Sequence, residues 1–403
     1  MLFEELNVNE HKVLFKNTQN GICSVQCIFN AGSIDETVEG TAHFLEHMLF
    51  KGTPRFNKDQ FNRITTKYGQ INAWTSFDLT CYHYDFISRN LSNAFDIFFD
   101  MIFNATLPEE EIEIERGVIL EEFEHYKNNP SLYFRERITR EFVGKDGHGI
   151  LGTRNSISSI TLKDLQTFVD SYYRNNMIIV VVGNIGKNFL ISELEKYLPK
   201  TDTKNISIRS NKPNYNRQNL SFHHPSSQAC LGIISPGSLI IDSPSIEYAR
   251  EIFDSGFGGD MHSLLFQEVR EKGYCYSVWS NFVDCTNFGF EFINCKIDPE
   301  NIDKTKEIIL SLIQKVKNEG FDSELLELSK NHVLFTIIDS IEKSSNLARI
   351  GAEYFKRNGK IEDINEYQQK ILNITNDDII QYANTLFNDE PSIYTMTEGP
   401  MED

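Results

Sequence analysis

Two stretches of the chain repeat one pattern of hydrophobic and polar positions. Ile71 to Ile102 (INAWTSFDLTCYHYDFISRNLSNAFDIFFDMI) and Tyr276 to Ile313 (YSVWSNFVDCTNFGFEFINCKIDPENIDKTKEIILSLI) each predict a strand, a turn, a second strand and then an amphipathic helix. The two tryptophans of the chain, Trp74 and Trp279, take matching places 205 positions apart, about half of 403 residues. Two copies of one structural unit follow. The apolar run MIIVVVG ending at Gly183 predicts a buried strand, and QACLGIISPG (Gln228 to Gly237) predicts another that opens the second copy. Long helices are expected over Asp303 to Asn318, stopped by Gly320, and over Ser323 to Lys343. Strands mixed with long helices predict an α+β fold in each half, with helices packed on one face of a mostly antiparallel sheet. The stretch from Leu198 to Asn219 carries two prolines, many Asn and Ser residues and no apolar period. The expected division is therefore an N-terminal domain over 1–203, a linker over 204–219 and a homologous C-terminal domain over 220–403.

Composition narrows the class without naming the chemistry. A hydrophobic fraction of 40% with 12% aromatic residues is enough for two ordinary globular cores. The formal charge of −19 argues against a nucleic-acid partner, which is held by Lys and Arg displacing counterions, and favours cationic ligands. Seven cysteines, odd in number and mostly set among apolar residues, behave as small hydrophobes and fit a reducing cytoplasm. The first residues lack the features of an export signal, and no apolar run has the length of a membrane span, so neither export nor a membrane partner is expected.

One short stretch departs from this ordinary background. In HFLEHMLFKGT (His43 to Thr53), Phe44, Leu45, Met48 and Leu49 form an apolar helical face that Lys51 and Gly52 would end. The opposite stripe is His43, Glu46, His47 and Phe50, where solvated residues would be normal. Two histidines four residues apart project about 40° from each other on successive turns, a spacing that lets both imidazoles reach one ion. The pattern H-x-x-E-H is either an inverted zinc-peptidase signature, with Glu46 as the proton acceptor, or a chance match on a helix with satisfied core histidines.

A catalytic zinc needs a third protein ligand and an open fourth position. It is sought in LPEEEIEIERGVILEEFEHYKNNP (Leu107 to Pro130), where Glu109, Glu110 and Glu111 read as the acidic first turn of a helix. Glu115 and Glu122 are seven residues apart, two turns along one face shared with Val118 and Ile119. Glu122 is the expected third ligand and Glu115 the carboxylate that orients a ligand or the helix, with Glu121 and Glu124 expected to face solvent.

With these residues assembled, the chain resembles the pitrilysin, insulinase and mitochondrial processing peptidase family of inverted-motif zinc metallopeptidases, in its short two-domain branch. GTAHFLEHMLFKGT is similar to the family's zinc helix, ERGVILEE to the segment bearing the supporting acid and third ligand, and INAWTSFDLT to a strand written N-A-x-T. The resemblance covers essentially the whole chain. It implies a metalloendopeptidase with one Zn²⁺ per subunit, acting on peptides or unfolded segments. It further implies that Asn72 and Ala73 lie on a sheet edge where substrate adds as a strand. FGGDMHSLLFQEVREKGYCYSV (Phe257 to Val278) resembles the segment ending in an Arg and Tyr pair, which implies that Arg270 holds a substrate carbonyl and Tyr276 stabilises an oxyanion. The interval between them is one residue short of the family's, and Leu264 stands where an arginine is usual, so Tyr274 competes for the second role. The resemblance also implies a homodimeric chamber with composite active sites. Two other readings use the same fold: a non-catalytic scaffold subunit, and a maturation protease dedicated to one ribosomal peptide.

Overall fold

The structure is a computed structural model that describes residues 3–173, 177–200, 214–238, 246–358 and 363–401. The chain divides into two compact units. The first comprises residues 1–125, 148–208 and 340–361, and the second 126–147, 209–339 and 362–403. Each unit thus takes in a segment from the far half of the sequence. Residues 204–213 of the expected linker lie outside the described residues.

The first unit is built on six strands: β1 (Glu4–Val8), β2 (His11–Asn17), β3 (Ile22–Phe29), β4 (Gly69–Thr75), β5 (Thr80–Ile87) and β6 (Met177–Gly183). Their order across the sheet is β1-β2-β6-β3-β5-β4, which puts β4 at an edge. Only β2 and β6 run parallel; the other pairs are antiparallel. Every residue of β6 is buried, as its unbroken apolar run predicts. On one face the sheet packs against helices α1 (Thr41–Leu49), α2 (Lys58–Tyr68) and α3 (Leu91–Asn104), joined in a core that includes Phe29, Phe44, Phe61, Tyr82, Phe95 and Phe98. Gln60 and Asn57 cap the start of α2 reciprocally. The opposite face is covered as well. Leu347, Ala348 and Ala352 of the helix Ser344–Asn358 pack on Leu14, Ile28, Val180 and Val182, and Gln26 Nε2 donates to Ser345 O at 3.0 Å.

The second unit repeats the plan with β7 (Leu220–His224), β8 (Ala229–Pro236), β9 (Ser277–Asp284), β10 (Gly289–Ile297) and β11 (Ser392–Glu398), in the order β7-β11-β8-β10-β9. Here β7 and β11 form the parallel pair, as β2 and β6 do in the first unit. Trp74 and Trp279 stand on the corresponding edge strands β4 and β9. A core containing Ile252, Phe253, Phe257, Ile309, Val316 and Tyr382 fills the helical side. The helices Ile302–Glu319 and Ser323–Ile341 match the expected spans to within two residues, and Gly320 ends the first of them with φ 68°. A helix from the first half of the sequence, Pro130–Val143, lies against β8, where Phe134 and Ile138 approach Gly232 so closely that a methyl there would touch both. Among the described residues no helix is long and apolar enough to cross a membrane, and all seven cysteines are free thiols.

Candidate metal centre

Helix α1 is buried along nearly its whole length, including His43, Glu46 and the apolar face of Phe44, Leu45, Met48 and Leu49. It begins at Gly40, whose φ of 92° suits glycine. A Cβ there would lie 2.4 Å from Leu151 O. The first turn is held by Glu36, whose carboxylate accepts from Gly40 N at 2.5 Å and Ala42 N at 2.8 Å, an acid at the positive end of the helix. Burial pushes the Glu36 carboxyl up to about 8, against those backbone donors, which favour its charged form. The helix closes at Leu49, and Gly52 turns the chain away with φ 126°.

On this helix the two imidazoles face one another, with ring centroids 4.6 Å apart and planes inclined at 58°. Glu122 reaches them from a helix far along the chain, α4 (Glu109–Asn128). Its Oε2 lies 3.9 Å from His43 Nε2 and 3.7 Å from His47 Nε2. Ligand atoms of the three residues all fall within 4.8 Å of one another. Tetrahedral zinc with ligands at about 2.0–2.1 Å needs ligand atoms roughly 3.3 Å apart, so the two gaps from the Glu122 oxygen close with shifts of a few tenths of an ångström. Glu122 is 43% exposed in its side chain, which leaves one side of the triad open.

Protonation agrees with metal binding. Burial, followed by the facing His47, lowers His43 to about 3, so its imidazole is neutral and keeps a lone pair at neutral pH. His43 Nδ1 is buried with no hydrogen-bond partner. His47 Nδ1 lies 2.7 Å from Glu115 Oε1, so Nδ1–H donates to that carboxylate and Nε2 is left to face Glu122. Glu115 also pairs with the ammonium of Lys51. Burial pushes Glu115 upward, but the hydrogen bonds from His47 and Lys51 and the Lys51 charge outweigh it and hold the carboxyl below its ordinary value. The residues present fit a zinc ion: two imidazoles, one carboxylate, and an acid behind one imidazole.

Glu46 lies beside the triad and is buried. Its Oε2 accepts from Thr75 Oγ1 at 2.5 Å, which fixes the carboxylate to the end of edge strand β4. Burial raises its pKa, opposed chiefly by the Thr75 hydrogen bond, giving a carboxylate more basic than one in water. Asn72 is exposed on the same strand, and its Oδ1 accepts from Ala73 N at 2.9 Å. Lys51, Thr75 and Glu36 make contacts to Glu115, Glu46 and the start of α1 that the sequence reading did not anticipate. Lys51 entered it only as a helix terminator and Thr75 only as the last letter of N-A-x-T.

Arg270 and Tyr276 belong to the second unit. Arg270 ends the short helical turn Phe266–Arg270, pairs with Glu271 at its surface and lies over the Phe266 ring, 5.0 Å from its centroid. Tyr276 is 79% exposed, the most of any large hydrophobic residue among the described residues, whereas Tyr274 and Leu264 pack against the core of that unit. The expected Glu121 and Glu124 alternatives stay apart from the triad, and Glu124 pairs with Arg154.

Residues 12–151 match the profile of the insulinase family, peptidase family M16, and residues 159–333 match that of the peptidase M16 inactive domain. A Bacillus subtilis protein named uncharacterized zinc protease YmxG is 31% identical over 343 residues, spanning 82% of this chain and 80% of its own. The chain belongs to the M16 family. Among other M16 relatives, zinc protease PqqE of Helicobacter pylori is 27% identical over 390 residues, 93% of this chain and 87% of its own. The fold matches the crystal structure of a protease from Helicobacter pylori with a TM-score of 0.90 at 24% identity, covering 98% of this chain and 99% of that one. It also matches a Pseudomonas fluorescens M16 inactive-domain structure with a TM-score of 0.88 at 20% identity, covering 100% and 99%. These confirm a two-domain M16 architecture of mixed sheets and helices.

Proposed function

We propose that this M16 protein is a zinc-dependent metalloendopeptidase that hydrolyses peptides or unfolded polypeptide segments. The observation that carries the reading is the convergence of His43, His47 and Glu122 from two distant helices, with Glu46 beside them and hydrogen-bonded to Thr75. His43, His47 and Glu122 would hold one zinc ion per chain, which when bound polarises the scissile carbonyl and acidifies the attacking water.

The remaining steps belong to the chain's own groups. Glu46 takes a proton from the attacking water and passes it to the leaving amine nitrogen, a cycle suited to a carboxylate whose burial raises its basicity. Glu115 keeps the proton of His47 on Nδ1 and so fixes the imidazole's orientation. The edge strand β4, through Asn72 and Ala73, offers backbone pairing that tolerates many sequences. Arg270 would hold a substrate carbonyl and Tyr276 would donate to the oxyanion; the exposure of Tyr276 and the packing of Tyr274 favour this assignment. As the family resemblance implies, the triad of one subunit and the Arg/Tyr pair of another would form composite sites of a twofold homodimer enclosing a chamber. The charge of −19 favours basic peptides as substrates, and the seven free thiols favour a reducing, cytoplasmic setting.

The presence of the whole set His43, Glu46, His47 and Glu122 favours an enzyme over a scaffold subunit of the same fold. The test pairs zinc analysis with cleavage of unrelated fluorogenic peptides by wild type and Glu46→Gln. Zinc retained at the wild-type content with turnover abolished supports the proposal. Equal turnover in both proteins refutes it.

A further inference from the structure

Among the described residues one other group of side chains has the spacing of a metal site, and it lies entirely within the second unit: Asp260, His262 and His332. Asp260 and His262 stand in the turn between the helical segments Ser255–Gly259 and Phe266–Arg270. His332 comes from the helix Ser323–Ile341, 70 residues later. We propose that these three residues bind a second divalent transition-metal ion, of the zinc type, which ties the turn to that helix.

The geometry parallels that of the first triad. Asp260 Oδ2 lies 3.7 Å from His332 Nδ1, the same separation as Glu122 Oε2 from His47 Nε2. The rings of His262 and His332 have centroids 5.2 Å apart and planes at 54°, against 4.6 Å and 58° for His43 and His47. Ligand atoms of all three residues again fall within 4.8 Å of one another. The supporting contacts are of the kind a metal site uses. Ser255 Oγ engages His262 Nε2 at 3.3 Å, which leaves Nδ1 for the ion, and Asp260 Oδ1 accepts from Met261 N at 2.7 Å, which leaves Oδ2 for it.

Donor type sets the class of ion. Two imidazoles and one carboxylate suit Zn²⁺, Co²⁺, Ni²⁺ or Cu²⁺, whereas Mg²⁺ and Ca²⁺ demand oxygen ligands throughout. The side chains of Asp260 and His332 are 44% and 36% exposed, so the ion can exchange with solvent and keep water in its remaining positions. The turn it would pin leads directly into the segment that ends at Arg270. Occupancy therefore stiffens the stretch proposed to carry the substrate-binding arginine, and stabilises the fold by mass action.

The experiment uses the full chain stripped of metal by chelation and then titrated with Zn²⁺, with Co²⁺ in parallel as the spectroscopic probe. Wild type is expected to take up two equivalents and His262→Ala/His332→Ala one. The stripped proteins should unfold at the same temperature, because the altered side chains are half-exposed. Independently of any variant, zinc should protect His262 and His332 of the wild type from modification by diethylpyrocarbonate, mapped by mass spectrometry. Undiminished uptake in the double variant, or modification of His262 and His332 unaffected by saturating zinc, would overturn the proposal.

Discussion

Glu115 offers the sharpest separation between metal chemistry and mere packing, because it serves two donors at once. Its carboxylate accepts from His47 Nδ1 at 2.7 Å and pairs with Lys51, and the side chains of Glu115 and Lys51 are only 6% and 11% exposed. Glu115→Gln is nearly isosteric but supplies one acceptor oxygen where two cationic or polar donors converge. Loss of a carboxylate behind a ligating histidine typically weakens metal binding about 10- to 100-fold, or about 1.4–2.8 kcal/mol. Separately, a buried ion pair that loses one partner costs about 3–5 kcal/mol; the flexible Lys51 stem, able to move its ammonium toward water, puts the expected cost to the metal-free fold near about 3 kcal/mol. Lys51→Met/Glu115→Gln removes the stranded ammonium and leaves one acceptor for one donor. Stability of the metal-free protein should therefore recover in the double variant while zinc affinity stays low. Lys51→Met alone keeps the carboxylate on His47 and should bind zinc as tightly as wild type. Zinc affinity is read by competition with a chromophoric chelator, and stability by urea unfolding in excess chelator. Wild-type affinity in Glu115→Gln, or a loss in Lys51→Met as large as that in Glu115→Gln, would refute the positioning role.

Three other outcomes follow from the same geometry. Thr75→Val removes the donor on Glu46; turnover should fall roughly 10-fold, the scale of a hydrogen bond to a charged group. The acidic limb of its pH–rate profile should move to higher pH with zinc content unchanged, and an unmoved profile would detach Thr75 from Glu46. Glu36, pushed up to about 8 in the folded state, holds a proton that the unfolded chain releases near its ordinary value of 4.5. Its contribution to stability is thus present below that ordinary value and is lost as pH rises through the window up to about 8, at no more than about 1.4 kcal/mol per pH unit. The urea stability of metal-free wild type relative to Glu36→Gln should decline from pH 5 to pH 8, and a difference that stays flat would contradict the assignment. Ala73→Pro removes the N–H that Asn72 Oδ1 now accepts, on an edge strand where proline is tolerated. If substrates pair with this edge, kcat/KM for unrelated peptides should fall roughly 2- to 10-fold, the scale of one backbone hydrogen bond, with zinc content unaltered.

What could be read along the chain was whatever depends on short spacing. His43, Glu46 and His47 share a turn and a half of α1, and Glu115 and Glu122 share a face of α4 because they are seven residues apart. The repeated strand, turn, strand and helix pattern likewise announced β4, β5 and α3, and then β9, β10 and the helix Ile302–Glu319. What escaped depends on contacts made only after the chain has folded. Thr75 meets Glu46 across 29 positions and Glu36 reaches back to cap a glycine-led helix with no Ser or Asp at its N-cap. His262 and His332 are polar residues on half-exposed surfaces, where a histidine carries no signal until its partner is known. The strand Leu220–His224 was missed for another reason: five residues with two buried positions give too short an alternation to stand out. The helix Ser344–Asn358 is amphipathic on its own terms, but nothing in its pattern says that its apolar face belongs on β3 and β6 rather than in the unit that surrounds it in sequence.

The cost of the arrangement explains why the polar stripe of α1 is so narrowly supported. A helix buried on this scale would be more stable with leucine at His43, Glu46 and His47, since each ionisable group there forfeits hydration. Two of the three losses are offset within the protein: Glu46 by Thr75, and His47 by Glu115 with Lys51 behind it. His43 is not offset, because its Nδ1 has no partner and its Nε2 faces a carboxylate 3.9 Å away, beyond hydrogen-bond reach. The remaining deficit sits where His43, His47 and Glu122 converge, and a divalent cation there would satisfy both nitrogens that face Glu122 as well as the carboxylate. In His262→Ala/His332→Ala, which keeps only this triad, the metal-free protein should accordingly be less stable than the zinc form by RT ln(1 + [Zn²⁺]/Kd), so the stabilisation measured against free zinc reports the affinity of this triad without any assay of catalysis.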